Sequence, residues 1–403
     1  MILVTYGSFY FCRTNISAAI PGIEKEFELT KTQIGFILGS LKIAYGIGQF
    51  VNGQLAERIS PRKLLTIGML TSAALNVVFG FGTGLYFLVF VWACNGYFQA
   101  LGWTPCMRVA ANWCPAESRG RSIGIIGTGY QATAALTFIV SGFAAEKFGW
   151  RGALYVPAGI LTLSCIHMLF FLKESPDSAL KSDNETPEEE KTKPSRPSVR
   201  DSLRVTITNP ALWILAVTLG LLNACRYGFL DWGLPFLVET TNESVSKAAL
   251  KYAILPVGGI LGSYFSGWIT DRFFGGRRAP LICMLMLVLS GLTLIFYSVV
   301  QIGLGAALIV LMCTGFAIYG PQVLLVGTAA IDMARSGTPA AAVGLVNFMG
   351  YMGAFAGDQV TGIMVDNHGW SAALAFWAGC AVGGAVLVAF LWNRKPTPTE
   401  QTT

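Results

Sequence analysis

The chain has 403 residues and a net charge of +6, with 53% apolar residues and only 12% charged residues. Soluble domains carry about 25% charged residues, so this composition excludes a soluble fold and makes lipid the expected solvent. The apolar runs are continuous rather than alternating in polarity, so a membrane β-barrel is a poor match. We therefore predict an all-α membrane protein.

Twelve apolar segments approach the roughly 20 residues that a helix needs to cross the hydrocarbon core. The first lacks the basic start and the small-residue cleavage site of a signal peptide, and it contains Arg13 at mid-span, so we assign it as helix 1. The tight turns at 82–84 and 301–303 separate two of the helix pairs. The predicted helices 1 to 12 span residues 1–22, 33–57, 63–82, 85–109, 120–145, 150–172, 210–238, 247–271, 279–300, 302–330, 337–366 and 369–392.

The stretch between helices 6 and 7 is rich in charge, proline and serine, which is typical of a solvated linker rather than a domain. It divides the chain into two halves of six helices each. The predicted organisation is an N-terminal bundle at 1–172, a cytoplasmic linker at 173–209, a C-terminal bundle at 210–392 and a cytoplasmic tail at 393–403.

Basic loop residues predict the orientation of the chain, because cytoplasmic loops carry an excess of lysine and arginine. One side of the membrane receives most of them, and both termini fall on that side. The compact length favours a bacterial inner membrane with cytoplasmic termini. The residues on that side are Arg58, Arg62, Lys63, Arg119, Arg121, Arg272, Arg277, Arg278, Arg335, Arg394 and Lys395.

The two halves repeat each other. Arg13 in helix 1 and Arg226 in helix 7 are 213 residues apart by subtraction of their numbers, and two loop motifs recur at nearly the same offset. Pro105 in helix 4 corresponds to Pro321 in helix 10. Such parallel half-repeats with a site between them are a known transporter architecture.

The loop motifs follow helices 2 and 8. Each has a glycine, an acid–arginine pair and a basic cluster, which resembles the signature of the major facilitator superfamily. The resemblance implies twelve transmembrane helices in two pseudo-symmetric six-helix bundles that rock about a central site. The first copy departs from the pattern, with Glu57 where aspartate is usual. The motif residues are Gly53, Glu57, Arg58 and Arg62 in the first copy and Gly267, Asp271 and Arg272 in the second.

Arg13 and Arg226 are the most informative residues. A buried arginine costs about 2.5–3.5 kcal/mol on insertion scales, so it normally faces a cavity or a partner. Helices 1 and 7 are equivalent under the repeat, so both guanidiniums should approach one point between the bundles. Their planar forks suit a multiply charged anion such as a phosphate dianion. The alternative is local neutralisation, with Asp231 holding Arg226.

A narrower resemblance covers helices 1, 4, 7, 10 and 11. The segment Arg226-Tyr-Gly-Phe-Leu-Asp231-Trp232 closely resembles helix 7 of the organophosphate:phosphate antiporters, and 6–15 resembles their helix 1. The resemblance implies exchange of a sugar phosphate or glycerol phosphate for inorganic phosphate, with Arg13 and Arg226 on the phosphoryl group. It also implies that tyrosines line the cavity. Those assigned to substrate binding are Tyr10, Tyr45, Tyr130, Tyr319 and Tyr351.

Three positions depart from that family. Thr14 and Gln49 stand where relatives have lysines, and Tyr130 stands where a substrate-binding histidine is expected. Part of the usual positive charge is therefore missing, and the organic moiety of the substrate stays open.

Lys42 in helix 2 and Asp358 in helix 11 are additional charges at similar depth. We predict an ion pair that forms when the outer side closes. The competing interpretation places Lys42 in the cavity as a phosphate ligand, with Asp358 coupling to protons.

The chain has no GxxxxGK[ST] or HExxH motif, so neither ATP-driven pumping nor an enzyme is predicted. We expect no metal and no cofactor. The expected partners are a small anionic substrate, inorganic phosphate and the lipid bilayer, with no nucleic acid, and the expected state is a monomer. Two alternatives remain: a proton-coupled carboxylate transporter of the same superfamily, and a transporter-like sugar phosphate sensor.

Overall fold

The computed structural model describes residues 1–114, 116–175, 204–334 and 339–394. Within these ranges, the side chains of residues 50, 53–54, 56–58, 111, 116–125, 127 and 339–340 are not described. Most of the predicted linker and tail, together with Arg335, therefore lies outside the described residues. The same holds for the surroundings of Gly53 and for the side chains of Glu57, Arg58, Arg119 and Arg121.

Besides a short helical turn at 204–207, the described chain forms twelve helical segments, which we number α1 to α12 in the order of the predicted helices. Five of them change their winding or break within the segment. The bounds are Ile2–Ser8, Phe9–Cys12 and Ile16–Phe27 for α1; Lys31–Arg58 for α2; Pro61–Phe79 for α3; Leu85–Gln99 and Trp103–Trp113 for α4; Ala116–Phe148 for α5; Gly152–Phe171 for α6; Pro210–Tyr227, Gly228–Trp232 and Gly233–Thr241 for α7; Val245–Tyr252 and Ile254–Phe273 for α8; Ala279–Ile302 for α9; Leu304–Val323, Leu324–Ala329 and Ala330–Asp332 for α10; Pro339–His368 for α11; and Trp370–Ala389 for α12.

The number and order of the helices match the prediction, and no helix end moves by more than five residues. Eight of the segments are long and apolar enough to cross a membrane by length and composition. Of the other four, α1, α2 and α11 contain the buried charges Arg13, Lys42 and Asp358, which lower their hydropathy.

The internal repeat is visible in the backbone. Glu28 after α1 and Asn242 after α7 both adopt a left-handed conformation, and their numbers differ by 214. Such a residue commonly ends a helix. Thr30 then caps α2, and Ser244 stands at the equivalent position before α8. The two halves thus turn from their first to their second helix in the same way.

Close backbone packing joins the bundles along α2 and α11. A Cβ on Gly35 of α2 would lie 2.7 Å from the carbonyl oxygen of Asp358, so no larger side chain fits there without movement. Small residues allow membrane helices to approach in this way. Gln359 donates to the Gly35 carbonyl at 2.7 Å, which adds a polar contact at the same point.

One end of the molecule, which we call the sealed end, lies opposite the chain termini and joins the bundles by reciprocal helix capping. Asp366 of α11 accepts hydrogen bonds from the backbone N–H groups of Lys31 and Thr32 at the start of α2, at 2.9 and 2.7 Å. Glu146 of α5 accepts from the N–H of Ser246 at the start of α8 at 3.2 Å. A carboxylate from each bundle therefore caps a helix of the other, and the helix dipole favours it there.

Candidate functional site

Helix α1 breaks where Arg13 lies. An α-helical start gives way to a 3₁₀ turn over Phe9–Cys12 and a non-helical turn at 13–15 before the helix resumes at Ile16. The break frees backbone carbonyls, which must find other donors inside a membrane. Gln99 of α4 donates to the Phe9 carbonyl at 3.0 Å, and Asn95 of α4 donates to the Cys12 carbonyl at 2.9 Å.

These side chains belong to a buried polar network that also holds Arg13. The Nε of Arg13 donates to Oε1 of Gln99 at 3.1 Å, while Nε2 of Gln99 also donates to the Ser72 hydroxyl at 2.7 Å. Ser72 in turn donates to Asn95 at 2.6 Å. Because every link is buried, the network holds the guanidinium at Nε, while Nη2 has no hydrogen-bond partner in the described residues.

Arg226 lies in the last turn of the α-helical part of α7, directly before a π-helical turn over Gly228–Trp232. Single π-turns inside helices are frequent at functional sites. The hydroxyl of Tyr252 donates to the Phe229 carbonyl within this turn. Both arginines thus border a backbone irregularity in the first helix of their bundle, although the irregularities differ.

Tyrosine rings connect the two guanidiniums. Arg13 lies 4.7 Å from the ring centroid of Tyr10 and 4.5 Å from that of Tyr45. Arg226 lies 4.8 Å from the ring of Tyr227 and 5.1 Å from that of Tyr319. Such cation–π contacts are worth more when desolvated.

Tyr130 completes the connection between the bundles. Its ring stacks on Tyr10 with centroids 4.9 Å apart and lies 6.5 Å from Tyr319. Tyr351 of α11 lies 4.7 Å from Tyr45 of α2. The structure therefore brings together Arg13, Arg226 and the five tyrosines named from the sequence.

The two guanidiniums are buried without counter-ions. Arg13 is 5% exposed and Arg226 is 4% exposed. Within the described ranges, neither has a carboxylate within ion-pair distance, and Nη2 of Arg13 and Nε of Arg226 have no hydrogen-bond partner. Buried polar groups are normally satisfied, and a cation without a partner is costly. This arrangement is suited to an anion.

Lys42, Asp231 and Asp358 form a second buried cluster, which we call the lysine triad. The Lys42 ammonium contacts Oδ2 of Asp231 and lies 2.7 Å from Oδ2 of Asp358. The ion pair that the sequence predicted between Lys42 and Asp358 is therefore present. Lys42 is 11 residues from the start of α2, which places the triad roughly 16 Å along the helix from the sealed end.

The pairing of Asp231 with Arg226, considered from their spacing, is not what the structure shows. Asp231 contacts Lys42 of the other bundle instead. Arg226 lies in the α-helical part of α7 and Asp231 lies in the π-turn over Gly228–Trp232, so the side-chain directions of a regular α-helix do not hold between them. Lys42 enters between Asp231 and Asp358 because α2 and α11 pack closely there.

The loop motifs lie at the end that carries the termini. Arg62 donates to the Leu169 carbonyl through its guanidinium, and its N–H donates to Glu174 at 3.1 Å. Asp271 accepts a hydrogen bond from Arg278 at 2.7 Å, and Arg272 is exposed. Beyond the backbone of its own helix, a Cβ at Gly267 would have no neighbour within 4 Å. In both copies the described charges connect loop and helix ends within one bundle.

Gln99, Tyr6 and Tyr227 are site residues that the sequence analysis did not single out. Tyr6 lies 6.0 Å from Tyr130, and Tyr227 contacts both Arg226 and, at 5.0 Å, the ammonium of Lys42. Asn95 and Gln99 are four residues apart in an otherwise apolar helix, so they share one face. That spacing is the signal from which the anchoring of Arg13 could have been inferred.

In the part of the chain that the structure describes, no three His, Cys, Asp or Glu side chains are grouped so that they could hold a metal ion. The nine cysteines are free, and six of them are buried among apolar side chains.

Comparison with known proteins places this arrangement in context. Residues 2–358 match the family model described as Major Facilitator Superfamily. A probable hexose phosphate transport protein of Chlamydia trachomatis is 28% identical, covering 97% of this chain and 89% of the relative. The glycerol-3-phosphate transporter of Bacillus subtilis is 29% identical, covering 97% and 91%. A membrane sensor protein, UhpC of Salmonella typhimurium, is 28% identical, covering 99% and 93%.

A solved structure shows the same fold. It is a bacterial homologue of the human lysosomal transporter Spinster in an inward-facing, unoccupied conformation, with a TM-score of 0.74, 16% identity, and 97% and 93% of the two chains covered. The names of the sequence relatives agree with the resemblance to organophosphate transporters, and none of them is an enzyme. On the family match, the chain is a member of the major facilitator superfamily of membrane transporters.

Proposed function

We propose that this protein exchanges a phosphorylated small metabolite for inorganic phosphate, holding the phosphoryl group between Arg13 and Arg226. One observation carries the proposal: two guanidiniums, 5% and 4% exposed, lie on equivalent helices and have no carboxylate partner in the described residues. A phosphate dianion supplies the missing negative charge. Its oxygens also match the two N–H donors of each fork.

The tyrosines suit the remainder of such a substrate. Tyr10, Tyr45 and Tyr319 already face the guanidiniums with their rings, and their hydroxyls can bond to sugar or phosphate oxygens. The names of the relatives, which refer to hexose phosphate and glycerol-3-phosphate, support the class of sugar and glycerol phosphates. We extend that class to this chain.

The contacts between the bundles support alternating access. Among the residues whose side chains are described, hydrogen bonds between α2 and α11 and between α5 and α8 lie at the sealed end and at mid-depth, where Gln131 of α5 donates to Ser263 of α8 at 2.9 Å. Opening that end requires Lys31 to leave Glu239 and Asp366 to leave the start of α2.

We place the protein as a monomer in a bacterial inner membrane, with the termini and the linker 173–209 cytoplasmic and the six-helix bundles at 1–172 and 210–392.

Vesicles reconstituted with the full chain and preloaded with phosphate test the proposal. Labelled external phosphate should enter in exchange for internal phosphate, and unlabelled hexose phosphate or glycerol phosphate should compete. Proton-dependent uptake of a carboxylate without phosphate exchange would replace the proposal with a carboxylate transporter. Saturable binding with negligible flux would indicate a sensor, the function in the name of the Salmonella relative.

A further inference from the structure

The lysine triad is a buried cluster whose charges do not balance. Lys42, Asp231 and Asp358 are 2%, 3% and 0% exposed. The single ammonium contacts both carboxylates. When both carboxylates are ionised, the triad has a formal charge of −1, and in a low dielectric such a charge must be neutralised by a nearby cation or by a proton.

The triad is adjacent to the proposed phosphate site. The ring of Tyr227 lies 5.0 Å from the Lys42 ammonium and 4.8 Å from the Arg226 guanidinium, so one side chain contacts both cations. At this spacing a change of charge in one site alters the energy of the other, since little water screens the interaction. The two sites are therefore electrostatically coupled.

The groups around the triad limit where its charge can be balanced. From α7 it is faced by Arg226 and Tyr227, and the indole of Trp232 donates to Oδ1 of Asp358 at 3.3 Å. From α1 the Ser17 hydroxyl donates to the Asp231 carbonyl at 2.9 Å, and from α8 Tyr252 donates to the same π-turn. Of these described groups that face the triad, only Arg226 carries a charge.

A count of the buried charges points to a proton. Arg13, Arg226 and Lys42 bring three positive charges, and Asp231 and Asp358 bring two negative charges, which gives +1. A bound phosphate dianion changes the total to −1. Binding one proton returns it to zero, which is the state that a low-dielectric site favours.

We propose that the lysine triad is a proton-binding site and that Asp358 takes up one proton when a phosphate dianion binds between Arg13 and Arg226. This inference rests on the proposed function of the arginine site. The proton comes from the aqueous phase and forms an O–H bond on the Asp358 carboxyl, and Lys42 then pairs with Asp231 alone. When the anion leaves, the proton returns to water.

Asp358 is the better acceptor of the two carboxylates. It is fully buried, which disfavours the charged form of a carboxylate, whereas Asp231 makes the closer contact with the Lys42 ammonium. The loss of the Asp358 charge also weakens an ion pair between α2 and α11, the helices that close the sealed end. Substrate binding would thus loosen a contact that must break when that end opens.

Isothermal titration calorimetry tests the inference. The purified full chain is titrated with inorganic phosphate at pH 7 in buffers of different ionisation enthalpy, which gives the number of protons taken up per phosphate. Wild-type protein should take up about one proton more than Asp358→Asn, because phosphate brings its own protonation equally to both proteins. Glu243→Gln removes a carboxylate that pairs with Lys251 elsewhere in the same bundle, and should match wild type.

The outcomes separate this inference from the proposed function. Equal proton numbers in wild type and Asp358→Asn would overturn the proton site and leave the phosphate site standing. No phosphate binding by wild type would overturn both. If Asp358→Asn does not fold, wild-type protein is titrated with monofluorophosphate, which stays a dianion at this pH. An uptake of about one proton supports the site, and an uptake near zero overturns it.

Discussion

The two arginine sites are equivalent in the repeat but are built differently. Arg13 lies at a break in α1, and Gln99 binds its Nε as part of a buried network of amides and a hydroxyl. Arg226 borders a π-turn in α7, is flanked by aromatic rings, and has an Nε without a partner in the described residues. The N-terminal half therefore orients its guanidinium before an anion arrives, whereas the C-terminal half depends more on the anion to do so.

The buried carboxylates Asp231 and Asp358 are a second difference between the two halves. Both buried aspartates come from the C-terminal bundle, yet they contact Lys42 of the N-terminal bundle. This pairing keeps Asp231 away from Arg226, so that Arg226 stays available to a ligand. The lysine triad thus leaves the Arg226 guanidinium without a carboxylate partner in the described residues and at the same time joins the bundles.

The largest effect is expected from Lys42→Met. Without the ammonium, Asp231 is free to turn towards Arg226, which would then no longer be available to a ligand. Breaking a buried ion pair by removing one partner costs about 3–5 kcal/mol, so thermal unfolding in detergent should move to lower temperature and phosphate exchange should be lost. The exchanged pair Lys42→Asp with Asp358→Lys keeps one ammonium and two carboxylates, and should recover stability and exchange. If the double variant is no more stable and no more active in exchange than Lys42→Asp or Asp358→Lys alone, the ion-pair role is refuted.

Arg13→Lys and Arg226→Lys remove the forks while keeping the charges. A charge-assisted hydrogen bond is worth about 1.5–3 kcal/mol, so each variant should lower labelled phosphate exchange by about 100-fold. Arg62→Lys changes an arginine that binds within one bundle at the other end, and serves as the control. Normal exchange in both site variants would reduce the arginine pair to structural residues.

Gln99→Leu should turn the N-terminal site into one resembling the C-terminal site, since Arg13 loses its anchor at Nε. Leaving that donor and the Phe9 carbonyl unsatisfied costs about 1–3 kcal/mol. We expect the half-saturation concentration for phosphate to rise about tenfold, measured in exchange assays. Gln301→Leu, at a surface position where the amide donates to Thr240, should change it little. Equal values for the two variants would show that the network does not position Arg13.

The smallest effects should come from the rings. Tyr45→Leu and Tyr319→Leu each remove a cation–π contact worth about 0.5–2 kcal/mol. We expect a loss of affinity of about threefold for Tyr45→Leu and a greater loss for Tyr319→Leu, because Arg226 lacks the polar anchor of Arg13. Phenylalanine at either position retains the ring and should recover most of the affinity. The opposite order would contradict the view that the C-terminal half relies on its rings.

The sequence by itself determined the membrane class, the twelve helices, the repeat and the two arginines. Length, hydropathy and the offset between halves are local or additive properties, so they survive without coordinates. The predicted Lys42–Asp358 pair followed from the similar depth of the two residues together with the facing of helices 2 and 11 that the family resemblance implies.

Only the tertiary structure showed that Asp231 joins Lys42 and Asp358. Asp231 is near Arg226 in the chain, but the direction of the side chains and the close packing of α2 on α11 give it Lys42 as a partner. The same holds for Gln99, whose contact with Arg13 depends on a helix break and on the packing of α4 against α1. Counter-ion choice inside a membrane is a matter of distance in a low dielectric, and distances between separate helices are not encoded in local sequence.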